Sequence, residues 1–279
     1  MHSMNRLARG QRVQVLSALV EGNSIRATVR MTGVAKNTVT KLLVDAGAAS
    51  AAYQADNLRG LTCKRVQCDE IWAFCHSKEK NVPEERKGEL GYGDVWTWAV
   101  IDADTKLVAA FTLGDRSAST AHAFMVDLAK RLKNRVQLTT DGHRVYLEAV
   151  DNAFAGDIDY AMLMKKYGET ATREGERRYS PAQYAGSVRK VIVGDPDGKH
   201  IATSYVAGQY TRLTNGFSKK IENMACAVSV HFMYYNFARP HVSLQGQTPA
   251  MAAAVADHVW TLEEILALVE ADESSQNSN

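Results

Sequence analysis

Two aspartates stand in runs where a buried strand would carry no charge. Asp69 interrupts KRVQCDEIWAF (64–74), and Asp141 closes RVQLTTD (135–141). A carboxylate placed in a strand loses hydration and needs a partner. A divalent metal ion is the partner that uses two carboxylates at once. The two are far apart in sequence, so only a fold can bring them together. The competing reading of each aspartate alone is a cap, a turn or a salt bridge.

The rest of the chain is that of a soluble globular protein: 279 residues, 46% hydrophobic and 23% charged. Its net charge of +2 hides two basic zones. Residues 1–50 hold seven Lys/Arg against Glu21 and Asp45, and residues 173–220 hold nine against four acids. The stretch from Thr261 onward has five acids and no base. Two basic zones in a nearly neutral chain suit a polyanion better than a membrane, although solvated surface has the same composition. No apolar run reaches membrane-spanning length, and Met1–Arg12 lacks the apolar core of a signal peptide. The expected location is the cytoplasm, with the nucleoid. Four cysteines (Cys63, Cys68, Cys75, Cys226) fit a reducing compartment. Cys63, Cys68, Cys75 and His76 raise zinc, but their spacing lacks a C-x₂-C knuckle.

The first 47 residues read as helices. Val13, Leu16, Leu19 and Val20 recur at helical spacing, Ser24 can cap Ile25–Met31, and a turn at Thr32-Gly33-Val34 leads into Ala35–Val44. Helix, short turn with glycine, helix is the helix-turn-helix pattern. Lys36, Asn37, Thr38, Thr40 and Lys41 on its last helix suit base edges and phosphates. An ordinary three-helix subdomain is the alternative. Residues 48–62 are small and polar and read as a linker.

The period then changes to that of strands. Arg65–Phe74, Val95–Asp102, Lys106–Leu113 and Arg135–Thr140 are expected strands, the middle two forming a hairpin through Asp102-Ala103-Asp104-Thr105. Ser119–Lys133 and Tyr146–Phe154 are expected helices, with Asp157–Met164 a further strand. The order βββαβα implies an α/β layer with a mixed sheet. Gly168–Asp197 reads as an inserted loop and Phe217–Phe237 as a long helix ended by Arg239-Pro240-His241. A short acidic helix is expected near Leu262–Val269, with a disordered tail from Asp272.

The chain resembles bacterial insertion-sequence transposases of the DDE type, the IS-one-like group. The resemblance runs through NSIRATVRMTGVAKNTVTKLL, CKRVQCDEIWAF, GYGDVWTWAVIDADTKLV, VQLTTDGHRVYLEAV, YSPA, KHIATSYV, TRLTNGFSKKIEN, HFMYYNFARPHVSL and TPAMAA. It implies a ribonuclease H-like mixed sheet flanked by helices over 63–242, an N-terminal all-α helix-turn-helix domain over 1–47, and a C-terminal helix and tail over 243–279. It implies Mg²⁺ or Mn²⁺ held by Asp69 and Asp141. It also implies double-stranded DNA as partner, both element terminal repeats and target, and action as a homo-oligomer. The second basic zone, with Arg212, Lys219 and Lys220, is the expected DNA contact.

One element of the family pattern is missing. Relatives follow the block resembling TSYV with a Glu that completes the acid triad, whereas this chain has Ala207 there. About ten residues are absent by that comparison. Three readings stand open. The chain is an inactive derivative that binds DNA only, or Glu222 substitutes for the lost acid, or another strand carboxylate (Glu70, Asp94, Asp102) helps hold the metal.

Overall fold

The computed structural model of the protein describes residues 7–167, 184–205 and 217–276. It begins with three helices: α1 (Arg9–Val20), α2 (Ile25–Thr32) and α3 (Lys36–Asn57). Ser24 caps α2 by accepting from the Ala27 amide. Gly33 ends it at φ 69°, a left-handed conformation that costs glycine nothing.

Helix α3 continues to Asn57, so residues 48–57 are helical where a linker was expected. The run Gly47-Ala-Ala-Ser-Ala-Ala is small because a second helix lies against it. That helix is α6 (Ile221–Met233), which a π turn carries on to Ala238. A Cβ on Gly47 would lie 2.3 Å from Cys226 Cβ, so the backbones meet at a distance only glycine permits. Gln54 seals the crossing: its amide donates to Ser229 O at 3.2 Å. Further along, buried Arg131 donates to the Gln54, Leu58 and Ala109 carbonyls. One hydrophobic core runs from Val15 and Leu43 through Leu58 to Trp98 and Tyr146. The first three helices and the sheet therefore share a core.

The sheet contains β1 (Arg65–Cys75), β2 (Gly93–Asp102), β3 (Val108–Gly114), β4 (Gln137–Asp141), β5 (Asp159–Tyr167), β6 (Tyr184–Val193) and the short β7 (Phe217–Ser218). Its order is β3-β2-β1-β4-β5-β6, with β7 pairing beside β1. Strands β1, β2 and β3 are antiparallel neighbours, while β1, β4 and β5 run parallel. The hairpin closes on Asp102, which accepts from the Asp104 and Thr105 amides and from the Thr105 hydroxyl. Helices α4 (Ala118–Arg131) and α5 (Val145–Phe154) follow β3 and β4. Phe124 of α4 and Tyr146 of α5 pack on Trp98 on one face. Helix α6 covers the other face through Val228, Phe232 and Tyr235 against Ile71, Ala99 and Ile101. This mixed α/β sheet flanked by helices is compatible with the ribonuclease H-like expectation.

Two further expectations are corrected. The second half of Gly168–Asp197 is not loop: β6 pairs antiparallel with β5. The acidic end is helical through Gln276 in α8 (Leu262–Gln276), which follows the short α7 (Pro249–Ala252). A capping box starts α8. Thr261 Oγ1 accepts from the Glu264 amide, and Glu264 Oε2 accepts from the Thr261 amide. Its acids pair with α1: buried Arg12 meets Glu270 at 3.1 Å and Glu273 at 3.2 Å. Part of the first basic zone is thus spent within the chain.

Gly47→Val adds side-chain volume where none fits. We expect it to destabilise the fold by about 2 kcal/mol or more, read as a lowered midpoint in urea unfolding. An unchanged midpoint would contradict the close α3–α6 crossing.

Candidate metal centre

Strands β1 and β4 pair only briefly, from Arg65↔Gln137 to Gln67↔Thr139. Beyond Gln67 they diverge, and the space between them is a fork. Asp69 and Asp141 each stand two residues past the last pair, so they share one height. Glu70 is the next residue of β1, and strand alternation sends it to the other face. Glu70 belongs with Cys68 on the α4/α5 side, where both contact Tyr146. At the fork no neighbouring strand separates the two faces, and both side chains reach Asp141. Carboxylate oxygens of Asp69, Glu70 and Asp141 lie within 4.8 Å of one another.

Each acid is held. Asp69 Oδ1 accepts from the Glu70 amide at 2.9 Å. Asp141 Oδ1 accepts from the His143 amide at 2.9 Å, within the turn after β4. The Tyr146 hydroxyl donates to Glu70 Oε1, and the Glu70 side chain is only 1% exposed. Two cations balance part of the charge. Arg116 Nη2 is 2.8 Å from Glu70 Oε2 and 3.7 Å from Asp141 Oδ2, and Lys165 Nζ is 3.9 Å from Asp69 Oδ2.

Burial, opposed by Lys165 and reinforced by Asp141, pushes the Asp69 carboxyl up to about 6. Burial and then the Asp141 charge push Glu70 up to about 7. Burial also raises the Tyr146 phenol, which keeps it a hydrogen-bond donor. The His143 ring stacks on Trp98 at an interplanar angle of 26° with centroids 6.4 Å apart, and burial lowers its pKa, favouring the neutral form.

Three clustered carboxylates, with burial raising the proton affinity of Asp69 and Glu70, are a donor set of hard oxygens, which suits Mg²⁺ or Mn²⁺. Oxygens on one such ion are at most about 4.2 Å apart, since each bond is about 2.1 Å. The observed spacing, within 4.8 Å, lies just outside that range. Among the described residues this is the one cluster of His, Cys, Asp and Glu with such spacing. Cys63 and the β1 cysteines Cys68 and Cys75 are buried and free, and among the described residues they do not group with His76 at metal-ligand spacing.

The other expected site residues are scattered. Glu222 lies in the first turn of α6, where its charge acts on Cys75 and Cys226, and it is not in the acid cluster. Of the other strand acids, Asp102 closes the β2–β3 hairpin, and Asp94 pairs with Phe74, toward the far end of β1. Lys36, Asn37, Thr38 and Lys41 are exposed at the start of α3. Lys41 pairs with Asp45 at 2.6 Å, and half-buried Thr40 donates to the Lys36 carbonyl. Lys219 and Lys220 are exposed just before α6. Arg212 and Ala207 lie outside the described residues, but the chain leading to Ala207 does not. Tyr205 donates its amide to Gln67 Oε1 at 3.0 Å, two positions before Asp69 on the same face. Arg116, Tyr146 and Lys165 went unnoticed in the sequence, where nothing distinguishes them from other surface cations and core aromatics.

No protein-family model matches the sequence, and no curated protein matches it. Among solved structures, the chain is similar to one from the cryo-EM structure of a piggyBac transposase synaptic complex with hairpin DNA. The identity is 10% and the TM-score 0.35, over 91% of this chain and 57% of that one. The chain spans little more than half the length of that neighbour, and a similarity this low assigns neither fold nor function.

Charging Glu70 costs more in the folded chain than in the unfolded one. Between the ordinary carboxylate pKa and about 7 the folded state holds more protons, so stability falls as pH rises through that window. Without added metal, Glu70→Gln should therefore raise the melting temperature at pH 8 by about 4 °C, on the order of 2 kcal/mol. The gain should fade as pH drops toward 4.5. A gain that persists there would mean that charge burial is not its source.

Proposed function

We propose that the chain is a DDE-type transposase of an insertion sequence. It would bind element ends and carry out metal-dependent DNA strand cleavage by water, followed by attack of the freed 3′-oxygen on target DNA. The observation that carries this reading is the convergence of Asp69, Glu70 and Asp141 at the β1–β4 fork. Asp69, Asp141 and Glu70 would hold Mg²⁺ or Mn²⁺, Glu70 acting where the family's third acid is replaced. Held by these acids, divalent ions would supply activation of the attacking oxygen and stabilisation of the leaving one. Tyr146 keeps Glu70 oriented, and the His143 amide keeps Asp141 turned into the fork. The path of the chain supports the family reading too: Tyr205, two residues before Ala207, is tied to Gln67 beside the acids.

In this reading residues 1–47 are a helix-turn-helix module, although their core continues into the sheet. Lys36, Asn37, Thr38, Thr40 and Lys41 face the DNA, and Arg212, Lys219 and Lys220 contact phosphates near the catalytic sheet. The protein works as a homo-oligomer on DNA in the cytoplasm. No helix among the described residues is long and apolar enough to cross a membrane.

A second reading is a DNA-binding derivative that does not cut. Two observations favour it: Ala207 stands where relatives carry the acid, and Arg116 and Lys165 already neutralise part of the cluster.

The test is nicking, with Mn²⁺, of a duplex bearing the repeats that flank the gene. We expect wild-type activity to drop by about 10²-fold or more in Asp69→Asn and Asp141→Asn. Ala207→Glu should raise it by about tenfold or more, as a recovered ligand would. Equal activity in wild type and both Asn variants would sink the catalytic assignment. Salt-sensitive binding with no nick in any metal, even for Ala207→Glu, would establish the second reading.

A further inference from the structure

Two cations reach the acid cluster from opposite faces of the sheet. Arg116 comes from the turn between β3 and α4, on the α4/α5 face, and its guanidinium lies over the Trp96 ring at 4.4 Å. Lys165 comes from β5 on the Asp69 face. Across the β5–β6 ladder Lys165 faces Ser187 and Leu163 faces Arg189. Directly opposed residues share a face, so exposed Arg189 is a diagonal neighbour of Lys165 on the Asp69 side. Following the strand order, the end of the sheet reads Trp96 and Arg116, then the three acids, then Lys165, then Arg189.

Neither cation is fully used by the acids: Lys165 makes no hydrogen bond to Asp69, and Arg116 makes one to Glu70, at 2.8 Å through Nη2. The Lys165–Asp69 distance of 3.9 Å is beyond a hydrogen bond, and the Lys165 side chain is 33% exposed. Arg116 is 36% exposed and reaches the acids through Nη2, while stacking on Trp96 fixes the plane of its guanidinium. A planar, oriented guanidinium has donors to spare for a second anion. Strands lie roughly 4.8 Å apart, so the row from β2 to β6 spans on the order of 20 Å. One DNA strand places a phosphate about every 3.4 Å of helix axis, so the row matches five or six phosphates.

We propose that Arg116 and Lys165 are phosphate grips that hold a DNA strand across the end of the sheet, one on each side of the carboxylates, with Arg189 extending the track. The proposal rests on reading the acid cluster as a phosphodiester-cleaving site. A divalent ion held by Asp69, Glu70 and Asp141 would supply the neutralisation that the two cations now provide, leaving Arg116 and Lys165 for non-bridging phosphate oxygens. DNA binding and metal binding then reinforce each other.

The experiment is fluorescence anisotropy on a labelled duplex across a salt series. It uses the full chain with Ca²⁺ as the divalent ion, and compares wild type with Arg116→Gln, Lys165→Gln and the double variant. Each single change should weaken binding and make the slope of log K against log salt shallower by about one unit, the double by about two. If Arg116→Gln does not fold, Lys165→Gln and Arg189→Gln carry the test, since both side chains belong to the accessible β5–β6 ribbon. Folded variants with wild-type affinity and slope would overturn the proposal and leave the cations as mere counter-charges. Shallower slopes without Mn²⁺-dependent nicking would uphold the grips while removing the cleavage reading. A wild-type chain that binds no DNA would remove both.

Discussion

Mutual repulsion among Asp69, Glu70 and Asp141 is the constraint around which the sheet is organised. Three carboxylates within 4.8 Å of one another, largely withdrawn from water, are unfavourable unless something answers their charge. The answers come from every direction: an amide at Asp69, an amide at Asp141, a buried phenol at Glu70, and two side-chain cations. None is strong enough to restore ordinary proton affinity at Asp69 or Glu70, which stay raised by burial. With Asp69 and Asp141 still partly exposed at the fork, such a group suits a ligand of opposite charge. Packing alone would be better served by apolar residues of similar size.

The fork depends on what holds β1 and β4 apart and keeps the rest of the sheet rigid. On one face Trp98, Phe124 and Tyr146 form an aromatic block, and Trp98 Nε1 donates to the Asp115 carbonyl beside Arg116. That bond links the core to the turn that carries a site cation. On the other face α6 is pinned by α3 at Gly47, and Asn236 at its end both donates to and accepts from the Val108 backbone. The start of β3 is thereby tied to α6, and the N-terminal helices join the same core.

How much of this was legible in the sequence follows from what each residue had to satisfy. Asp69 and Asp141 were legible because a charge in an apolar strand has few explanations. Glu70 was only one of several acids to weigh, since alternation places it on the face opposite Asp69. Convergence requires the strands to part, and the end of pairing leaves no mark in composition. The linker reading of residues 48–57 failed for a different reason. Gly47 and its alanines are small because a helix presses on them, and small residues without apolar bulk look the same in a linker. Strand β6 was hidden because its Ser187–Val191 side chains are exposed at a sheet edge, so no apolar alternation marks it. Arg116 and Lys165 gain meaning only from neighbours far away in sequence.

Charge accounting at the fork links the missing acid to the cations. A cluster of three carboxylates with Arg116 and Lys165 beside it carries a net charge near −1 when all are ionised. A fourth acid delivered after Tyr205 would take it to about −2, enough to answer a divalent ion outright. With Ala207 in that place, the cations compete with a metal on more equal terms, and metal affinity should be correspondingly weaker. The same imbalance makes the site less repulsive to a phosphate. Under the transposase proposal, Ala207 in place of that acid would weaken metal-dependent cutting through a change in electrostatics alone, with the Asp69–Glu70–Asp141 geometry left in place.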